Sequence, residues 1–395
     1  MNDFSVTLTT LVRCGLSGKC ESILGNTDWQ RVYITGKNHQ ILPLLYYGIV
    51  NCGQTPPEDI FAKFEHALFQ GVAIGQNQLY ELSNIFSAFE KNGIKYLPLK
   101  GSVIKALYPK PEMRIMGDAD ILITEHNDEI IEEIMHSLGF SFYKQNEKVD
   151  SWSKGKTVMI EIHKSLFSSE NTDLNSYYAD VWKKAIPINE SHTHFELSDE
   201  DTFIYLFAHF VKHFRNAGIG IRHITDLFVF SKVKPNLNCN YIENEMKKLK
   251  LYDFYSNVMR TVKVWFYGGE PDEITDFITE KIITSGSFGT HEDYITTSFL
   301  KKIENYDISH EKVRHTMLLN MLFPSYSGMC KRYPVLKRAP YLLPIMWIFR
   351  FFETIIKKPQ KINYQKHNIA FSSKERLEKR KKELEAVGLK FDFKE

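Results

Sequence analysis

The chain is short of cysteine, of long apolar runs and of net charge, and each shortage removes a class of protein. Its 395 residues hold five cysteines, Cys14, Cys20, Cys52, Cys239 and Cys330, scattered and odd in number. No Cys-x-x-Cys pair occurs, so reduced thiols in a cytoplasmic protein are expected rather than a disulfide framework. No apolar stretch reaches the ~20 residues that a membrane span needs. The nearest, Ala339 to Phe349, contains Pro340 and Pro344 and is cut short by Arg350. Met1-Asn2-Asp3-Phe4 lacks the basic start and apolar run of a signal peptide. No internal repeat is visible.

The net charge of +2 carries no bulk nucleic-acid signal, but its distribution is uneven. Residues 331–395 hold 17 Lys/Arg against 7 Asp/Glu, so the first 330 residues are net negative. A basic tail can meet phosphates, acidic lipid or an acidic partner, or it can be a solvated charged helix. Aromatics are abundant, with 28 Phe and 20 Tyr. That number serves large cores and stacking surfaces equally well.

Four regions follow from the patterning. Residues 1–92 read as an N-terminal helical region, with apolar positions three and four apart (Leu8, Leu11, Val12; Ile41, Leu44, Leu45). Pro56-Pro57 before Glu58 and Asp59 is a helix start, and Asn92-Gly93 a stop. Residues 93–195 change period. Ile94–Leu99 suits a strand, Gly101-Ser102 a turn, and Val103–Tyr108 one or two helical turns before Pro109. Asp118–Ile123 alternates as a second strand, Asp128–Leu138 is an amphipathic helix, and Phe140–Gln145 and Thr157–His163 are two further strands. The order β-α-β-α-β-β gives an α+β, or mixed α/β, fold: a small mixed sheet flanked by N-terminal and C-terminal helical regions. Residues 196–330 form a C-terminal helical domain with helices at 199–215, 220–232, 240–266 and 310–322, and 331–395 a basic helical tail with helices at 344–358 and 373–386. Ser198 with Asp201 three residues on caps the first of them.

The chemistry concentrates in the middle. Asp118 and Asp120 lie two apart on a strand, so their side chains leave one face while Ala119 and Ile121 enter a core. Adjacent carboxylates repel unless a cation neutralises them. Mg²⁺ suits this task, and two ions about 3.5–4 Å apart can clamp both oxygens of a phosphoryl transfer. Glu161, between Ile160 and Ile162, shares a strand face with Met159 and His163 and offers a third acid. An exposed strand face is the alternative reading for it. Gly101 permits close backbone approach, and the Ser102 hydroxyl with helix-start amides can hold phosphate oxygens. Arg114 and Lys100 are cations placed to bind a triphosphate or to offset the acids.

In this order, Leu99-Lys100-Gly101-Ser102, Asp118-Ala119-Asp120 and Glu161 resemble the polymerase-β-like nucleotidyltransferase superfamily, although the 15 residues between Ser102 and Asp118 exceed its usual spacer. A closer resemblance absorbs that departure. Leu99-Lys100-Gly101, Leu107-Tyr108-Pro109, Arg114-x-x-x-Asp118-Ala119-Asp120 and Glu161-Ile162-His163 look like a bacterial family of largely uncharacterised nucleotidyltransferases. His209, His213, Arg222 and Asp226 fit its His-x-x-x-His … Arg-x-x-x-Asp pattern, and Phe323-Pro324-Ser325 … Tyr333-Pro334 … Leu342-Leu343-Pro344 … Arg350 also looks typical, so the likeness spans residues 80–355.

The resemblance implies a nucleotidyltransferase core that moves a nucleoside monophosphate from an NTP, ATP by preference, to an acceptor hydroxyl. Asp118, Asp120 and Glu161 would bind two Mg²⁺ or Mn²⁺ ions. Lys100, Gly101, Ser102 and Arg114 would bind the nucleotide. His163, His209, His213, Arg222 and Asp226 would face a small-molecule or sugar-like acceptor, a protein or nucleic-acid acceptor being the toxin-like alternative. A non-catalytic nucleotide-binding scaffold is the third reading. His209 and His213 share a helix face at a spacing that can bind zinc, but no His-Glu-x-x-His is present. Arg222 and Asp226 can form a helix-face ion pair. In the tail, Trp347, Phe349, Phe351 and Phe352 mix with Arg350, Lys357 and Lys358. Because the aromatics run nearly all round that helix, cover of the protein's own core is expected, with peripheral contact to anionic lipid the alternative.

Overall fold

The computed structural model describes residues 1–23, 26–124, 128–145, 148–168, 171–188, 191–287, 289–306, 309–357 and 373–390. They form two compact units, Met1–Gly289 with Val387–Leu389, and Thr290–Ala386.

The first unit opens with helices α1 (Asp3–Ser17), α2 (Trp29–His39), α3 (Leu42–Asn51) and the long α4 (Glu58–Lys91). A sheet region follows: β1 (Tyr96–Leu99), the short helix α5 (Gly101–Ile104), β2 (Ala119–Ile123), α6 (Asp128–Ser137), β3 (Ser141–Gln145), β4 (Val149–Lys154) and β5 (Val158–His163). After α7 (Thr172–Tyr177) and a two-stranded ribbon of β6 (Ile186–Pro187) and β7 (Phe195–Glu196), the chain is helical: α8 (Asp199–Asn216), α9 (Ile221–Val233), α10 (Cys239–Lys248), α11 (Tyr252–Tyr267) and α12 (Glu273–Ser285). Asn2 caps α1, and Ser198 caps α8 through the Asp201 amide.

The five strands run in the order β1-β2-β5-β4-β3. Only β2 and β5 are parallel; the other pairs are antiparallel. The sheet is therefore mixed, as its α+β patterning implies. One face carries Ala119, Ile121, Ile123, Trp152, Val158, Ile160 and Ile162, and α4 and α6 cover it with Leu82, Ile85, Phe89, Ile131 and Met135. Burying each large apolar side chain contributes about 1.5–3 kcal/mol, so this layer anchors the sheet. The opposite face presents Asp120, Glu161 and His163.

Three expectations differ from the structure. The segment before Gly155 holds the strand β4, because Val149-Asp-Ser-Trp-Ser-Lys154 is paired on both edges although its sequence is mostly polar. The single helix expected over 240–266 is two, broken at Lys250, whose φ is 56°. Helix α12 was not expected, although Asp272 and Thr275 form a capping box at its start.

The second unit contains α13 (His291–Tyr306), α14 (His310–Leu322), α15 (Tyr326–Arg332), α16 (Leu343–Lys357) and α17 (Lys374–Ala386). The expected end of α16 at 358 lies outside the described residues. Buried Leu377, Arg380 and Leu384 give α17 an inward face, so it is not a freely solvated charged helix, and Arg376 pairs with Glu292 on α13. Helix α16 corrects another expectation. Leu343, Met346 and Trp347 pack on Met329, Cys330 and Leu336, and Trp347 Nε1 donates to the Pro324 carbonyl (3.0 Å). Ile345, Ile348, Phe349, Phe351 and Phe352 are exposed, so only one side of this apolar helix covers a core. The cause is that its apolar residues fill more of the circumference than one packing stripe can use. Among the described residues, no helix is long and apolar enough to cross a membrane. All five cysteines are free.

Candidate active site

Strand register builds the site. Asp120 lies opposite Glu161 across the parallel β2–β5 pair and opposite Leu99 across the antiparallel β1–β2 pair. Two carboxylates on neighbouring strands thus share one face, and the end of β1 delivers Lys100 to them. Asp118, two residues before Asp120, stands exposed at the rim. Gln78 of α4 ties this arrangement together: its Nε2 donates to the carbonyls of Met116 (2.9 Å) and Thr157 (3.0 Å), holding the entries to β2 and β5 side by side.

Asp120 is buried, and its Oδ1 accepts from Lys100 Nζ (2.6 Å) and from His163 Nε2 (2.7 Å). Burial alone would raise its pKa, but Lys100 and His163 overcome that and hold the carboxyl well below its ordinary value. The reciprocal effect raises the pKa of both partners: burial opposes their charged forms, and Asp120 outweighs it. Glu161 Oε2 lies 3.6 Å from His163 Nε2. Asp118 is pushed up, first by desolvation and then by Asp120, with Lys100 opposing. Lys100 adopts φ 46°, uncommon for a side-chain-bearing residue, and strain of ~1–3 kcal/mol is characteristic of residues that functional sites over-determine. Gly101 begins α5 with little room for a Cβ, which would meet Met116 Cγ at 3.0 Å and Arg114 Nη1 at 3.1 Å, so both side chains would have to give by a few tenths of an ångström. The Ser102 hydroxyl donates to the Leu99 carbonyl (2.6 Å).

Arg114 does not point at the acids. Its guanidinium makes a forked pair with Asp226 of α9, Nη2 to Oδ2 at 2.9 Å and Nε to Oδ1 at 3.2 Å. The Tyr108 hydroxyl donates to the same Asp226 Oδ1 (2.7 Å). Asp226 is thus paired across 112 residues rather than with Arg222 one turn earlier. Arg222 instead donates to Gln40 Oε1 (2.8 Å) and the Ile115 carbonyl (3.2 Å).

Helices α8 and α9 bring a second polar group within electrostatic reach of Lys100. His209 and His213 meet at 3.1 Å through their Nε2 atoms, and His223 joins them, its ring centroid 5.6 and 5.3 Å from theirs. Burial first, then neighbouring cations and one another, hold all three well below the ordinary histidine pKa. Lys212, on the turn between the first two, is lowered by burial and Lys100 and feels Asp120, Glu161 and Asp118. No hydrogen bond or ion pair engages it among the described residues. Sequence reading missed Gln78, Lys212 and His223. Only Lys212 had a usable signal, lying three residues after His209.

A mixed sheet with a Lys-Gly-Ser turn at one strand end and carboxylates on two neighbouring strands is the arrangement that the sequence resemblance implies. The chain belongs to a family of uncharacterised nucleotidyltransferases, whose model matches residues 25–267. No curated protein and no solved structure matches it.

Proposed function

We propose that the protein transfers a nucleoside monophosphate from an NTP, ATP by preference, to the hydroxyl of a small, sugar-like acceptor, with pyrophosphate leaving. The in-register pair Asp120 and Glu161, with Asp118 two residues away, carries this reading. The donor set fits Mg²⁺ or Mn²⁺: the acids are hard oxygen ligands, two of them in register on neighbouring strands, and a lysine ammonium already occupies a cation position on Asp120. Asp118, Asp120 and Glu161 would hold two such ions, which when bound offset the charge of the reacting phosphate oxygens.

The chain's own groups divide the remaining work. The Gly101 and Ser102 amides open a helix toward phosphate oxygens. Arg114 is held by Asp226, so Lys212, which no hydrogen bond or ion pair engages among the described residues, is the cation assigned to the triphosphate. Glu161, only partly buried, would either join one of these ions or take the acceptor's hydroxyl proton. His163, with Lys100, would position Asp120 through the shared Oδ1. Arg222 and the three histidines form a polar wall suited to a hydroxyl-rich acceptor.

Pyrophosphate release from each of four NTPs, with Mg²⁺ or Mn²⁺ and a panel of sugars, tests the reading. Asp118→Asn and Asp120→Asn should abolish turnover. Glu161→Gln should lower kcat by ~10²–10⁴ with a smaller change in KM, as removal of a general base does. Unchanged Mg²⁺-dependent turnover in the Asp variants sinks the assignment. Radiolabel from NTP appearing in protein or RNA instead of small products moves the acceptor to the toxin-like class.

A further inference from the structure

We infer that His209, His213 and His223 form a transition-metal site of the zinc class with a ligand set distinct from the carboxylates; its metal binding is tested apart from nucleotidyl transfer, whose proposed acceptor wall these rings share. One ligand nitrogen from each ring lies within 4.8 Å of the others. The His209–His213 Nε2 separation of 3.1 Å is close to the about 3.3 Å spanned by two nitrogens on a tetrahedral zinc with bonds of about 2.0–2.1 Å. The His223 ring is already set for ligation. Its Nδ1 faces the Gly220 carbonyl at 3.3 Å, an oxygen that can only accept, so Nδ1 carries the proton and Nε2 keeps its lone pair. Ligating histidines are oriented by such a bond through the other ring nitrogen. One of the facing Nε2 atoms of His209 and His213 carries a proton, and metal binding moves it to Nδ1 of that ring. Two rings at i, i+4 on α8 and one at the start of α9 leave an open coordination position. Lys100, Lys212 and Arg222 act electrostatically on these rings, so the open position suits an anionic oxygen, a phosphate or a carboxylate.

The full chain without a histidine tag, stripped with chelator and titrated with Co²⁺, tests this. One equivalent should bind with the visible absorption of nitrogen-ligated cobalt, Zn²⁺ should displace it, and inorganic phosphate should shift the band. His223→Gln and the pair His209→Gln/His213→Gln should weaken binding at least 100-fold with an unchanged far-UV spectrum, and Asp118→Asn/Asp120→Asn should leave it intact. No cobalt band, or a band lost in the Asp variants and kept in the His variants, overturns the site. A band that phosphate does not move overturns the anionic fourth ligand.

A second observation stands apart from the first. The outward side of α16 and the turn before it is apolar at helical spacing: Tyr341 is 79% exposed, Ile345 and Ile348 61% each, Phe349 56% and Phe352 57%. Exposed Lys337 and Arg338 sit at its start, within the basic stretch of the chain. A stripe of this kind, flanked by cations, matches the surface of an anionic bilayer. We propose that α16 lies in the headgroup region of such a membrane. Flotation of the full chain with phosphatidylglycerol vesicles, and not with phosphatidylcholine vesicles, is expected. Ile345→Asp/Ile348→Asp/Phe352→Asp should abolish it without loss of helicity. Failure of the wild type to float overturns the proposal, as does a dimer in sedimentation that the same changes dissociate.

Discussion

One oxygen of Asp120 serves two partners, Lys100 and His163, and most of the site's electrostatics follows from that. Lys100 and His163 keep the residue ionised inside a sheet, where burial alone would protonate it. Lys105 shows the opposite case. Its amine lies where a Cβ on Gly75 would be 2.9 Å away, donates to the Arg114 carbonyl at 3.2 Å, and is pushed down to about 8, first by burial and then by the Arg114 guanidinium. The unfolded chain therefore binds the proton more tightly between about pH 8 and the ordinary value of about 10.4. Below that window the buried charge is a full penalty, and stability gains as pH rises through it. Lys105→Met should accordingly raise stability relative to wild type at pH 7, and the difference should shrink by pH 10, as read by urea unfolding at both. The acids were legible because strand alternation fixes which side chains share a face: Asp118, Asp120 and Glu161 need nothing beyond a period of two. His223 was not, because it reaches His209 and His213 only through the crossing of α8 and α9, which no local period encodes. Arg114 was legible as a charge but not as to its partner, which lies 112 residues away.

Elements were readable where composition and packing agreed. Helix α4 begins after Pro56-Pro57 and ends at Asn92-Gly93 because those residues start and stop a helix in any context. Strand β4 was invisible because Asp150 and Ser151 are buried by neighbours on both edges, a protection that its own sequence does not announce. The break at Lys250 has no glycine or proline to mark it. Close packing of α1 on α3 was likewise hidden. A Cβ on Gly48 would lie 2.1 Å from the Leu11 carbonyl oxygen, and one on Gly15 2.6 Å from that of Leu44. Both obstacles are backbone, so the helices must separate to accept a methyl group. Gly48→Ala should destabilise the first unit by at least about 1–3 kcal/mol in thermal or urea unfolding, whereas Gly53→Ala, with open space around it, should show only the smaller cost of its positive φ.

Across the first unit, the forked Arg114–Asp226 pair with Tyr108 joins the segment entering β2 to α9. The pair is buried, so removing one partner strands a charge. Arg114→Met or Asp226→Leu alone should cost about 3–5 kcal/mol, and the double variant distinctly less than the sum, measured as a double-mutant cycle in urea. The same bond has a geometric meaning. The acids ride on β2 and β5, the imidazoles on α8 and α9, and a desolvated ionic rivet ties the approach to β2 to α9. On the proposed function, such a rivet would set the spacing of the two groups before any acceptor binds.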